Sequence, residues 1–443
     1  MRLAFKHIVL ATGLAVLAGC VSAPTQGPVR ETVASPAFTE AHQLAQVDAR
    51  GNAARIEALL ASLDDAALSR HTAALAANDP LYPFAGRAML RRGLQPPHAF
   101  DRGWNFDGRQ AAAADGYRPP NKVAILLPLS GSLSGAAKPV RDGFLAGYYA
   151  ETRQRPTITF YDSASGVNGA YQKAVSEGAD YVVGPLDREQ VSALFTQANL
   201  PVPVLALNRG SRGAPAGSVS FSLAPEDEGI AAAEYLLGQG AKNVLVLTGP
   251  DDTLRRTSAA FRERLQARGG VVVDQISLSS NADALPAQLT AAAAKGEVDA
   301  VYFAARGDHT ASAIPAINSQ PALANARRVG ASQIASGIDS AAETALLDGV
   351  VFPRESLGNR QLSGMPGNPG ALTPTAAGAA GRLFAFGYDA WLITAYLEYL
   401  ATSPQKPVPG ATGGLQLDGF GNVLITPTWS VMRSGVAMPL GGR

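Results

Sequence analysis

From Lys122 onward the chain alternates short, uninterrupted apolar runs with amphipathic stretches, and no other feature of the sequence restricts its fold as much. Val123-Ala124-Ile125-Leu126-Leu127 contains no polar residue. A strand of that composition must be covered on both faces, as happens in parallel sheets with helices on either side. A helical stretch follows at 133–151, then a strand at 157–161, a helix at 170–177, a strand at 181–183, a helix at 187–198 and a strand at 204–207. Val191, Leu194, Phe195 and Ala198 give the last of these helices one apolar face. Residues 219–223 read as a crossing segment, after which the rhythm restarts: helix 225–237, strand 244–247, helix 252–268, strand 271–276, helix 284–294, strand 300–303. Strict alternation predicts a parallel, doubly wound sheet. Two consecutive series predict two α/β lobes, with a cleft at the carboxyl ends of the strands.

Local signals agree with this layout. Pro225 stands at a helix start, where its missing N–H costs nothing, and Glu226, Asp227 and Glu228 in the first turn suit the helix dipole. After Gly349-Val350-Val351-Phe352 the chain is expected to cross between lobes again. Residues 358–378 are rich in Gly and Pro and read as a loop, residues 383–400 as an apolar helix packed through Tyr388, Trp391 and Tyr396. Asp418-Gly419-Phe420-Gly421 is a hairpin turn between 415–417 and 422–425, and 431–438 reads as a last strand or edge ribbon. Lobe 1 is expected over about 122–222 and 352–402, lobe 2 over about 223–351 and 403–443.

The first 121 residues have other characters. Arg2 and Lys6 precede an apolar stretch from Ile8 to Leu17, too short for a membrane span and fitting the core of an export signal. It ends in Leu17-Ala18-Gly19-Cys20, and Cys20 is the chain's single cysteine. A lone free thiol is unusual in an exported protein. Residues 1–20 are therefore expected to be a signal, 21–37 a Pro/Ser/Thr/Gly-rich tether, 38–92 a short helical region and 93–121 a linker. Ile56, Leu59, Leu60 and Leu63 form one helical stripe in the helical region. In the linker, Trp104 and Phe106 are expected to pack on a neighbouring surface.

Little in the sequence points to catalysis. The histidines are His7, His42, His71, His98 and His309, and only His309 falls in the α/β part. No HExxH spacing occurs, so neither a metal nor a cofactor is expected. Ser130-Gly131-Ser132-Leu133-Ser134-Gly135 is neither a dinucleotide fingerprint nor a nucleophile elbow. It reads either as a turn into a helix or as a cleft-lining loop. Ser403-Pro404-Gln405-Lys406 has the spacing of a penicillin-binding serine motif, but lies between prolines without the partner motifs, and reads as coincidence. Asp251/Asp252 are adjacent carboxylates, which sequence proximity alone does not make a catalytic pair. A formal net charge of +1 excludes the basic excess of a nucleic-acid-binding protein. The polar residues just past strand ends are the candidate cleft lining: Ser130, Gly131, Ser132, Asp162, Asp187, Arg188, Asn208, Arg209, Thr248, Asp251 and Arg306. The plainer reading of each is a cap or turn residue.

Several stretches carry a resemblance. Leu17-Ala18-Gly19-Cys20 resembles a bacterial lipobox, which implies that Cys20 is acylated; Val21 after it, in place of aspartate, implies the outer membrane. Ile125-Leu126-Leu127-Pro128-Leu129-Ser130-Gly131, Val183-Gly184-Pro185 and Leu417-Asp418-Gly419 resemble the type I periplasmic binding proteins over about 122–443. Val183-Gly184-Pro185-Leu186, Leu205-Ala206-Leu207-Asn208 and Phe221-Ser222-Leu223-Ala224-Pro225-Glu226-Asp227-Glu228 resemble more closely the penicillin-binding protein activator lipoproteins of the LppC/LpoA type. That resemblance implies a non-enzymatic outer-membrane lipoprotein facing the periplasm, whose partner is a class A penicillin-binding protein. The other expectation is a tethered receptor for an amino acid, peptide or muropeptide. Receptors of this fold tend to carry Ser or Thr after Gly-Pro to hold a carboxylate, where this chain has Leu186 and Asp187.

Overall fold

The computed structural model describes residues 35–197, 200–278, 282–355 and 373–440. The expected signal, most of the tether with Cys20, Ala198, and much of the 358–378 loop lie outside the described residues.

Four helices open the described chain: α1 (Pro36–Asp48), α2 (Ala53–Ala61), α3 (Asp65–Ala73) and α4 (Tyr82–Arg91). The stripe read from the sequence is their core: Ile56, Leu59, Leu60 and Leu63 are buried with Leu68, Leu81, Phe84 and Leu90. Asp64 caps α3 by accepting the Ala67 N–H. Asp79 holds the next turn, accepting the Leu81 N–H at 2.8 Å and bonding His42 Nε2 at 2.8 Å.

The first α/β series consists of β1 (Lys122–Leu127), α5 (Ser134–Ala150), β2 (Thr157–Asp162), α6 (Val167–Ser176), β3 (Tyr181–Val183), α7 (Arg188–Leu194), β4 (Val204–Ala206) and β5 (Val219–Phe221). The second runs α8 (Pro225–Gly238), β6 (Asn243–Thr248), α9 (Asp252–Ala267), β7 (Val271–Ser277), α10 (Leu285–Ala293), β8 (Ala300–Ala304), α11 (Gly307–Asn318), β9 (Arg327–Gly330), α12 (Ala341–Leu346) and β10 (Val351–Arg354). Then come α13 (Gly381–Thr402), β11 (Val408–Pro409), β12 (Gly414–Leu417), β13 (Asn422–Thr426), β14 (Thr428–Arg433) and β15 (Val436–Pro439).

These strands make two sheets, ordered β11-β12-β13-β5-β4-β3-β1-β2 and β15-β14-β10-β9-β8-β6-β7. The consecutive parallel strands of each follow the same doubly wound order, so the two lobes repeat one plan. The apolar run at β1 is buried from Val123 to Leu127, as strands covered on both faces must be. In the first lobe, α13 packs on α5 with Trp391 against Phe144, ring centroids 5.7 Å apart, and Phe386 stacks on Phe221 at 4.5 Å. Trp104 and Phe106 of the linker pack on this same core.

The lobe boundaries differ from expectation in two places. Val351–Arg354 pairs with β9 and β14 in the second sheet, so the crossing comes after it. Residues 408–426, expected in lobe 2, belong to the first sheet, because β13 runs parallel to β5 with Asn422 opposite Ser220 and Val423 opposite Phe221. The hydrophobic pattern marks these segments as strands but carries no information on which sheet edge takes them. Only 428–439 returns to the second sheet, separated from β13 by Pro427 alone.

Candidate functional site

The carboxyl ends of the parallel strands bring part of the expected lining together. Asp162, closing β2, accepts the Ser130 hydroxyl at 2.7 Å and the N–H groups of Leu129 and Ala164, each at 2.9 Å. The Ser130 hydroxyl, followed by the Ala164 N–H, holds the Asp162 carboxyl below the usual carboxylate range. Gly131 turns the chain with φ +74°, and a side chain there would meet open space. Ser130, Gly131, Ser132 and Asp162 thus form one exposed polar lip, flanked by Leu129 and Leu133, whose side chains also face solvent.

Other expected residues serve the fold. Asp187 caps α7 by accepting the Gln190 N–H at 2.9 Å. Arg188 follows it on the exposed first turn of α7. Asn208 donates to the Leu186 carbonyl at 3.0 Å and accepts the Arg209 N–H at 2.9 Å, closing its own loop. Thr248 is a correction: it is buried, its hydroxyl bonded to Ser258 at 2.9 Å beneath α9, because the last residue of β6 points into the core. Asp251 and Arg306 stand at the starts of α9 and α11 on the second lobe, with Arg306 3.6 Å from Asp308.

Arg209 reaches across to the second lobe. It pairs with Asp227 of α8 at 2.5 Å, and Arg91 from the helical region reaches the other carboxylate oxygen at 3.3 Å. Burial pushes the Asp227 carboxyl up, but Arg209 and Arg91 outweigh it and hold it below its ordinary range. The neighbouring Glu228 accepts the Ser332 N–H at 2.5 Å, the Ser332 hydroxyl at 2.8 Å and Arg382 of α13 at 3.0 Å. Sequence reasoning assigned Asp227 and Glu228 only to the helix dipole. Of their partners, Arg209 lies across the crossing segment and Arg91, Ser332 and Arg382 lie more than a hundred positions away, so no helix-scale signal reveals them.

A cavity of about 60 Å³ lies among the crossing segments, lined by Ser222, Leu223, Glu228, Ser332 and Arg382 among others. A groove of about 230 Å³ lies between α4, α8 and the β13–β14 junction. Both fall below the ~300–1,000 Å³ common for small-molecule pockets. No group of three or more His, Cys, Asp or Glu suited to a metal ion occurs among the described residues.

Residues 116–435 match the family described as "LppC putative lipoprotein". The chain belongs to the LppC family. Its LppC module is 28% identical over 320 residues to the penicillin-binding protein activator LpoA of Pasteurella multocida, covering 71% of this chain and 54% of that protein. The LpoA of Photobacterium profundum is 29% identical over 352 residues, covering 72% and 57%. The chain therefore spans little more than half the length of these relatives. Among solved structures, the C-domain of Haemophilus influenzae LpoA, titled "a regulator of PBP1A", superposes with TM-score 0.61 at 25% identity, covering 72% of this chain and all of that domain. Full-length LpoA from the same organism gives TM-score 0.62 at 20% identity over 91% of this chain and 78% of that one, a likeness of fold that extends into the helical region. A "putative branched-chain amino acid ABC transporter" from Chromobacterium violaceum gives TM-score 0.57 at 27% identity, covering 70% of this chain and all of that one.

Proposed function

We propose that this chain is a non-catalytic regulator that activates a class A penicillin-binding protein in peptidoglycan synthesis. It stands on the outer membrane through acylated Cys20, facing the periplasm. The observation that carries this reading is the match to the whole C-domain of an LpoA titled as a regulator of PBP1A. The sequence ending in Leu17-Ala18-Gly19-Cys20 supports the anchor. Two or more acyl chains bind a bilayer stably where one does not. The lip of Ser130, Gly131, Ser132 and Asp162, with Leu129 and Leu133 beside it, is the surface we assign to partner contact.

The purified full chain is expected to retain class A synthases in a pull-down and to raise their rate of glycan polymerisation or cross-linking. Neither retention nor a rate change would remove the reading. Cell fractionation tests the anchor: the chain should sediment with the outer membrane, and Cys20→Ala should release it.

A solute receptor is the second reading, favoured by the likeness to the Chromobacterium violaceum protein. Against it stand the modest cavities and Leu186 and Asp187 after Gly184-Pro185. A saturating ligand from an amino-acid or muropeptide panel would raise the melting temperature of a receptor.

A further inference from the structure

Two-lobed folds of this kind ordinarily bind by hinge closure, which requires the lobes to move as separate bodies. Here a third element contacts both. On the second lobe, Arg268 from the end of α9 donates to the Leu63 carbonyl at 2.9 Å and to Asp65 at 3.0 Å, in the turn between α2 and α3. Arg92, with its side chain 1% exposed, reaches the same two acceptors and also donates to the carbonyls of Leu60 and Ala61, closing the end of α2.

On the first lobe, Phe84 of α4 meets Phe420 edge-on at 4.7 Å, and Arg87 lies over that ring at 4.0 Å. Arg102 donates to the Ala214 carbonyl at 2.6 Å, and the linker beyond it is tied to α13 through Arg118 and Glu398 at 2.6 Å. Where the three parts meet, Asp227 of the second lobe accepts Arg91 from the helical region and Arg209 from the first lobe.

We infer that residues 36–121 are a brace that fixes the two lobes at one opening, with Asp227 as the shared pin, so that the chain offers a rigid two-lobed surface instead of a cleft that closes. Opening or closing would have to break Asp227–Arg209 or strip the helical region from one lobe. Each break strands partly buried charge, which costs more than the intact pair contributes. This inference is independent of which partner is bound, since a braced module could serve a synthase or any other large surface.

Hydrogen–deuterium exchange on the full chain tests it. In the wild type, the crossing segments around 222–225 and 426–428 should exchange about as slowly as β1 and β6. Asp227→Asn combined with Arg268→Gln should speed exchange in those segments about tenfold while β1 and β6 stay slow. Using Arg268→Lys in place of Arg268→Gln, which keeps the second lobe's own cation beside Asp65, should restore part of the protection.

Unchanged exchange in the double variant, or fast exchange already in the wild type, would overturn the brace. Should the double variant unfold, small-angle scattering of the wild type decides. One lobe opening must fit the curve, and a need for two would overturn the proposal.

Discussion

Among single residues, Asp389 carries a testable electrostatic signature. It is fully buried in α13 and accepts the Ala411 N–H at 2.5 Å, the Thr412 N–H at 2.7 Å and the Thr412 hydroxyl at 2.5 Å. Burial pushes its carboxyl up to about 7, with the Thr412 and Ala411 bonds only partly offsetting it. A carboxyl whose folded value is raised binds its proton more tightly in the folded chain. Its stabilisation is therefore complete below the unfolded value of 3.8 and is lost as pH rises towards 7. Asparagine cannot titrate. The stability advantage of the wild type over Asp389→Asn should shrink by about 2 kcal/mol between pH 5 and pH 8, read from denaturant unfolding at each pH. A constant gap would show that the carboxyl does not change charge there. Ser130→Ala makes the opposite test at the cleft. Without the 2.7 Å bond, the exposed Asp162 carboxyl should titrate at higher pH by NMR, with little effect on folding.

At the scale of elements, each lobe is built on one close-packed helix pair, and glycine permits both. A Cβ on Gly143 of α5 would overlap the Phe384 carbonyl oxygen, and one on Gly387 of α13 would overlap that of Val140. Gly229 of α8 meets the Thr257 carbonyl of α9 in the same way in the second lobe. A backbone carbonyl cannot rotate aside as a flexible side chain would, so the helices would have to separate. Gly143→Ala and Gly387→Ala should each cost about 1–3 kcal/mol in unfolding experiments. Gly135, on the same α5 with open space around it, is the control, where alanine should be neutral or stabilising by up to ~1 kcal/mol.

The alternation that located these helices was legible from Lys122 onward because each apolar run is complete within a few residues. The close approaches were not, because a glycine inside a helix reads as a weakness until its neighbour is known. The cleft candidates divide for a similar reason. Ser130 and Asp162 could be placed by topology, whereas Thr248 required the direction in which the last residue of β6 points.

For the whole molecule, the decisive property is that its cores share members across sequence boundaries. The helical region's cluster includes Leu424 of β13, and Phe420 of the β12–β13 turn packs against it. The turn itself was legible as Asp418-Gly419-Phe420-Gly421, but that it serves as the seat of the helical region was not, since the contacting residues are more than three hundred positions apart. Asp418 stabilises this turn by accepting the N–H groups of Phe420 and Asn422, and it lies 3.8 Å from Arg87. Gly419 packs so closely on Pro83 and Phe100 that a side chain there would collide with both. Such shared packing should make the helical region and both lobes unfold as one cooperative unit, with calorimetric and van't Hoff enthalpies in agreement. Phe420→Ala removes the ring that Phe84 and Arg87 hold, at a cost of about 2–4 kcal/mol for a half-buried aromatic side chain. Because that loss falls on the contact between parts and not within either, the variant should show a separate, earlier transition for residues 36–92, detected as a calorimetric enthalpy exceeding the van't Hoff value. A variant that merely lowers the midpoint of a single transition would mean that Arg102, Arg118 and the linker contacts couple the parts without help from the aromatic seat.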